Sequence, residues 1–170
     1  TAVDTFIANS LHSRIPLISE VGQYIVRGGG KRLRPLVCLL AARACGYREG
    51  DHHIRVAGII ELLHTATLLH DDVVDDSGLR RGRATANARW DNPTAVLVGD
   101  YLISQAFHLV VSLRNLDVMD IMSQGTCVIA EGEVLQLINQ RDPATTEERY
   151  LEVVYGKTAK LFECAAEAGA

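Results

Sequence analysis

The run His70-Asp71-Asp72-Val73-Val74-Asp75-Asp76 crowds four carboxylates into one place. Asp71 and Asp75 are four residues apart, as are Asp72 and Asp76, so on a helix each pair shares a face and the set offers hard oxygen ligands at one point. Left alone these charges repel, and negative charge is also disfavoured at a helix C-terminus. A divalent cation reverses that balance. Mg²⁺ characteristically takes one or two carboxylates together with water and phosphate oxygens, so a phosphorylated substrate is the natural companion. The run also reads as an acidic, solvated helix end; against that stand the apolar turns from Leu62 to Leu69 just upstream.

Two basic stretches accompany the aspartates. Gly28-Gly29-Gly30-Lys31-Arg32-Leu33-Arg34-Pro35 is a flexible turn that delivers cations immediately before a helix. Its glycines allow close backbone approach, and Lys and Arg offer point-charge and forked donors to phosphate oxygens. The spacing is not that of a P-loop, and taken alone the stretch reads first as an ordinary surface turn. Arg80-Arg81-Gly82 follows the aspartates within one short loop. Two basic clusters beside a carboxylate cluster, in a chain of net charge −4, point to a metal and two anionic groups.

The elements that must position these residues are helices. Ile59, Leu62, Leu63, Ala66, Leu69 and Val73 recur at three- and four-residue spacing, and no stretch sustains strand-like alternation. Breaks at Gly28–Gly30, Gly46–Asp51, Ser77–Arg83, Asp91–Pro93, Leu113–Asn115 and Asp142-Pro143 divide the chain into about six helices. Asn92 is the expected cap of one, with Pro93 in its first turn, and Thr145 with Glu148 has capping-box spacing. Aromatic residues make up only 5% of the chain, so the core should be Leu, Val, Ile and Ala.

A chain of 170 residues with 48% hydrophobic and 22% charged content suits a single domain. Its negative charge argues against a nucleic-acid binder. Cys38, Cys45, Cys127 and Cys164 form no Cys-x-x-Cys pair and read as small buried hydrophobes in a reducing compartment. No uninterrupted apolar run reaches the roughly 18 residues that span a bilayer, and no signal pattern opens the chain, so no transmembrane segment and a cytoplasmic location are expected. The first residue is Thr, which suggests an upstream piece.

Taken together, GGGKRLRP, ELLHTATLLHDDVVDDSGLRRG, VLVGDYL, EGEVLQL and YGKTAKLF, in this order and spacing, resemble the trans-isoprenyl (polyprenyl) diphosphate synthases over nearly the whole chain. The resemblance implies an all-α, isoprenoid-synthase-type helical bundle around a central cavity, here apparently truncated: residues 1–170 would be the N-terminal part of one synthase domain, without the family's second aspartate-rich motif. It implies that Asp71, Asp72 and Asp75 belong to a catalytic DDxxD motif, with Asp71 and Asp75 as Mg²⁺ ligands. Arg80, Lys157 and Thr158 would hold the allylic diphosphate, and Lys31, Arg34, His64 and Arg81 the isopentenyl diphosphate. Without that resemblance His64 would read as a satisfied core histidine. His70, Asp100, Glu131, Glu133 and Gln136 read as hydrogen-bonded polar groups within apolar helices and are left outside the expected site.

The implied reaction joins an allylic diphosphate, farnesyl diphosphate by expectation, to successive isopentenyl diphosphates. Cations stabilise the departing pyrophosphate, and a dry apolar cavity protects the allylic cation. Ala66 and Thr67 lie where short-chain members of the family often carry bulky aromatics, which implies an open tunnel and a long product. Phe107 is a candidate for its floor. EGEVLQL and KTAKLFE are most similar to bacterial octaprenyl diphosphate synthases of quinone side-chain synthesis. The resemblance further implies a homodimer, and a chain that needs its missing half for turnover. A non-catalytic partner subunit, a terpene cyclase and a phosphohydrolase using His70-Asp71 are the other readings. The two basic clusters weigh against the first two, and the want of further ligand histidines against the third.

Overall fold

A computed structural model describes all 170 residues. The chain forms nine α-helices: α1 (Ala2–Ser10), α2 (Pro16–Arg27), α3 (Leu33–Ala44), α4 (His52–Val74), α5 (Ala86–Arg89), α6 (Asn92–Ser112), α7 (Leu116–Asn139), α8 (Glu147–Val154) and α9 (Lys160–Gly169). A small antiparallel hairpin, β1 (Leu79–Arg80) and β2 (Arg83–Ala84), joins α4 to α5, and a π-helical turn, Tyr155–Ala159, joins α8 to α9. Every expected break separates two elements. The extra elements are those with weak local signals: the α1/α2 division at Leu11–Ile15 contains no glycine, α5 is a single turn, and two-residue strands are too short to show alternation.

Two caps lie one residue from where the sequence suggested. Asp91, not Asn92, caps α6, its Oδ1 accepting from the Thr94 N–H at 2.7 Å. Thr146 caps α8, accepting from the Arg149 N–H at 3.3 Å, while Thr145 donates its hydroxyl to the Asp142 carbonyl at 2.8 Å. In both cases adjacent residues have cap-forming side chains, and the turn geometry selects between them.

The core is built around α4, which packs against α1, α3, α6 and α9. Surrounded on all sides, it is buried at every residue from Val56 to Leu63, and Ile60, Leu62, Ala66 and Leu69 have no exposed surface. One contiguous apolar core runs from Val3 to Ala165. Cys38 and Cys164 belong to it; Cys45, which caps the end of α3, and Cys127, within α7, are exposed, contrary to the sequence reading.

Helix α6 is, by length and composition, apolar enough to cross a membrane, which the interruption at Asp100 concealed in the sequence. It makes the most extensive packing contact of the fold, against α4, while Leu97 and Val111 remain open. Further apolar side chains are exposed on α3 (Leu33, Leu36, Leu40) and α7 (Val134, Leu137, Ile138).

A close glycine contact seats the π turn. A Cβ on Gly132 of α7 would lie 2.8 Å from the carbonyl carbon of Gly156 and from the backbone nitrogen of Lys157. Backbone meets backbone there, so Lys157 is carried up against α7 one residue from Glu133.

Candidate diphosphate and metal site

The four aspartates separate in three dimensions. Asp71 faces a cleft, its side chain 15% exposed. Asp72 turns inward and is 1% exposed. Helix α4 ends at Val74, so Asp75 is its C-cap and Asp76 lies in the left-handed region at φ 49°, both exposed. The pairing of Asp72 with Asp76 expected from four-residue spacing therefore does not form.

Asp71 meets residues from two other elements. The Lys157 Nζ of the π turn donates to Glu133 Oε2 of α7 at 2.9 Å and stands 3.9 Å from Asp71 Oδ2. Burial, then the neighbouring Glu133 charge, push the Asp71 carboxyl up to about 6, against the pull of Lys157. Burial works to lower the Lys157 pKa, but the hydrogen bond to Glu133 and the charge of Asp71 outweigh it and leave it raised. Carboxylates thus exceed cations in this cleft.

That excess is what a divalent cation would relieve. No three His, Cys, Asp or Glu side chains gather as a metal cage. Asp71 with Asp75 as the protein's ligands suits Mg²⁺, which fills its remaining positions with water and phosphate oxygens. Lys157 and Thr158 border an adjoining groove of about 390 Å³ with Gln136, Asn139 and Tyr150.

Asp72 anchors the hairpin. Arg80 Nε lies 2.9 and 3.2 Å from its two carboxylate oxygens, and Nη2 lies 2.8 Å from Oδ1. Asn87 Nδ2 donates to the Asp72 backbone carbonyl at 3.2 Å. The β2 end is tied to α2, where Tyr24 donates its hydroxyl to the Ala84 carbonyl at 2.7 Å and the Arg83 guanidinium stacks 4.6 Å from the Tyr24 ring. Arg80 and Arg81 therefore sit on a braced turn.

A second concavity, about 450 Å³, is lined by Lys31, Arg32, Arg34, His64, Arg81 and Phe162, with Glu61 as its lone acid. Hairpin and α2–α3 turn meet closely, since a Cβ on Gly30 would lie 2.9 Å from Arg81 Nη1. The Arg34 guanidinium stacks 4.4 Å from the Phe162 ring, and its buried Nε has no partner. Burial lowers the Arg34 pKa, partly offset by Glu61. Burial first, then Arg34 and Arg81, push His64 down to about 3, so it is neutral at physiological pH. A pocket of crowded cations with an unspent donor is suited to an anion.

The structure thus brings Lys31, Arg34, His64 and Arg81 to one cavity, places Asp71 beside Lys157, and joins Arg80 to Asp72. Ala66 is enclosed in the core, and Thr67 is half-buried, its hydroxyl donating to the His64 carbonyl at 2.9 Å. Sequence reasoning missed Arg32, Glu61, Glu133 and Phe162. The available signal was a carboxylate inside an apolar helix, one turn from His64 in one case and 24 residues from Lys157 in the other. His70 behaves as expected of a satisfied side chain, its Nε2 3.1 Å from the Val96 carbonyl.

The profile of the polyprenyl synthetase family matches residues 15–170. The chain belongs to this family. Among polyprenyl synthetases, an all-trans-nonaprenyl-diphosphate synthase (geranyl-diphosphate specific) of Rhodobacter capsulatus is 57% identical over 99% of this chain and 52% of its own length. The octaprenyl diphosphate synthase of Escherichia coli is 56% identical over 97% of this chain and 51% of its own. The crystal structure of a polyprenyl synthase from Caulobacter crescentus, complexed with calcium and isoprenyl diphosphate, superposes with a TM-score of 0.96 at 44% identity, covering 99% of this chain and 51% of that one. A decaprenyl diphosphate synthase from R. capsulatus gives 0.95 at 51% identity, covering 99% and 52%. The fold is that of isoprenoid synthases, and this polyprenyl synthetase chain spans about half the length of the curated relatives it matches, aligning with their N-terminal part.

Proposed function

We propose that this chain supplies the diphosphate-binding half of a Mg²⁺-dependent trans-polyprenyl diphosphate synthase, which condenses an allylic diphosphate, farnesyl diphosphate in our reading, with successive isopentenyl diphosphates. The observation that carries this is a cation-lined cavity and a carboxylate-rich cleft set along one buried helix. The cavity at His64 and the Asp71 cleft are seven residues, or about 10 Å of helix rise, apart. Two diphosphates held at that spacing place an allylic carbon beside an isopentenyl double bond. A terpene cyclase, with one diphosphate substrate, has no use for the second cavity, and a non-catalytic partner subunit has no use for either.

In this reaction Asp71 and Asp75 would hold Mg²⁺, which would supply positive charge to the pyrophosphate leaving group. Lys157, Thr158 and Arg80 face the same diphosphate and supply donors where that charge develops. Lys31, Arg34 and Arg81 fix the isopentenyl diphosphate as cations, and His64, neutral, as a hydrogen-bonding partner. The apolar wall of α4 excludes water from the allylic cation. The relatives named nonaprenyl, octaprenyl and decaprenyl synthases support a long product; within that range we propose octaprenyl, for quinone side chains, made by a cytoplasmic homodimer.

The test is incubation of the full-length protein with farnesyl diphosphate, labelled isopentenyl diphosphate and Mg²⁺, followed by chromatographic sizing. Long labelled prenyl products are expected; a folded protein that makes none overturns the assignment. In the same assay Ala66→Phe is expected to shorten the product. Because Ala66 is enclosed, the variant should also lose roughly 1–3 kcal/mol of stability by overpacking. An unchanged product distribution would remove Ala66 from the chain-length wall.

A further inference from the structure

Arg32 is held in an unusual way. It precedes α3 at φ 50° and ψ 37°, the left-handed region that favours glycine, although glycines stand just upstream. Such a conformation persists where surrounding contacts over-determine it. Here Nη1 donates to Glu61 Oε1 at 2.6 Å, Nη2 to the Val26 carbonyl at 3.1 Å and Nε to Asp4 Oδ1 at 3.3 Å. The contacts reach α4, α2 and α1, so one guanidinium ties three helices to the turn that carries Lys31 and leads into Arg34 at the start of α3.

The Glu61 side chain is 7% exposed and lies one helical turn before His64, on the cavity wall. A carboxylate in a cavity that takes an anion opposes binding by simple electrostatics, and its presence requires a compensating role. We propose that Glu61 is a positioning residue of the isopentenyl diphosphate site: by pairing with Arg32 it locks the Gly28–Arg34 turn so that Lys31 and Arg34 converge on the diphosphate. It also occupies the Arg32 guanidinium, leaving Lys31, Arg34 and Arg81 to hold the ligand. This rests on the cavity's assignment to isopentenyl diphosphate given above.

The two accounts of Glu61 predict opposite signs. If it were only a stray negative charge, Glu61→Gln would tighten anion binding; as a positioning residue, its loss weakens it. In the full-length protein, Glu61→Gln is expected to raise KM for isopentenyl diphosphate about ten- to a hundredfold, the range for losing a charged hydrogen bond. KM for the allylic diphosphate and kcat at saturation should change much less. Arg32→Lys, which keeps the charge and loses the fork, should shift the same parameter in the same direction, and it carries the test should Glu61→Gln fail to fold. A fall in KM, or equal changes in both KM values, overturns the proposal. Titration with inorganic pyrophosphate separates this from the functional assignment: an inactive wild type would sink that assignment, while weaker pyrophosphate binding by the variants would still support positioning and unchanged or tighter binding would reject it.

Discussion

Asp71→Asn in the full-length protein is expected to lower Mg²⁺-dependent turnover by about 10³-fold or more and, in chelator, to make the protein more stable at neutral pH. The second effect follows from the cleft. Asp71 releases its proton near pH 6 in the fold and near 3.8 when unfolded, because burial and Glu133 oppose its charge. Below about pH 4 both states hold the proton and there is no penalty. Between pH 4 and 6 the folded state binds more protons than the unfolded one, so stability falls as pH rises, and above pH 6 the full penalty applies, about 3 kcal/mol. The variant's advantage should therefore be largest at pH 7 to 8 and vanish near pH 4. Added Mg²⁺ should stabilise the wild type and not the variant. Unfolding curves of the two proteins with chelator and with Mg²⁺, at both pH values, check this. A stability difference independent of pH would show that burial and Glu133 do not oppose the Asp71 charge, and equal stabilisation by Mg²⁺ would remove Asp71 from the metal site.

Arg80→Ala is expected to cost about 3–5 kcal/mol of folding stability, far more than a surface arginine. Its partner, Asp72, is 1% exposed, and the truncation leaves that carboxylate buried without a counter-charge. Asn87 contacts only the Asp72 backbone and offers no replacement. Adding Asp72→Asn should recover much of the loss, since a neutral amide costs less to bury than an orphaned charge. Denaturant unfolding of the two single variants and the double variant forms the cycle that measures the coupling. Additive losses would show that the ion pair does not anchor the hairpin. Activity should fall as well, because Arg80 is itself proposed to contact the allylic diphosphate and Arg81, on the same turn, lines the cavity proposed for isopentenyl diphosphate.

Both predictions depend on where side chains of one local motif point. The heptapeptide from His70 to Asp76 announced a carboxylate cluster, and the apolar spacing from Ile59 to Val73 announced the helix beneath it, because such signals are carried by residues within a turn or two of one another. The all-helical class, the breaks at glycine and proline, and the basic turns at Lys31 and Arg80 were legible on the same ground. Family resemblance added roles for Lys157 and Thr158 that spacing could not supply.

What only the tertiary structure decided involves partners distant in sequence. Asp72 leaves its neighbours to bind Arg80 on the hairpin; Lys157 joins Glu133 to Asp71 because Gly132 lets the π turn approach α7; and Glu61 becomes part of the cation-lined cavity with Arg32, 29 residues away. Local periodicity identifies Glu61 and Glu133 only as polar residues in apolar helices. Whether a buried carboxylate stabilises or destabilises depends on the charge placed against it by another element, and that is set by packing. For this chain the sequence determined which charged residues are available, while the fold decided which are paired internally and which remain free to meet a ligand.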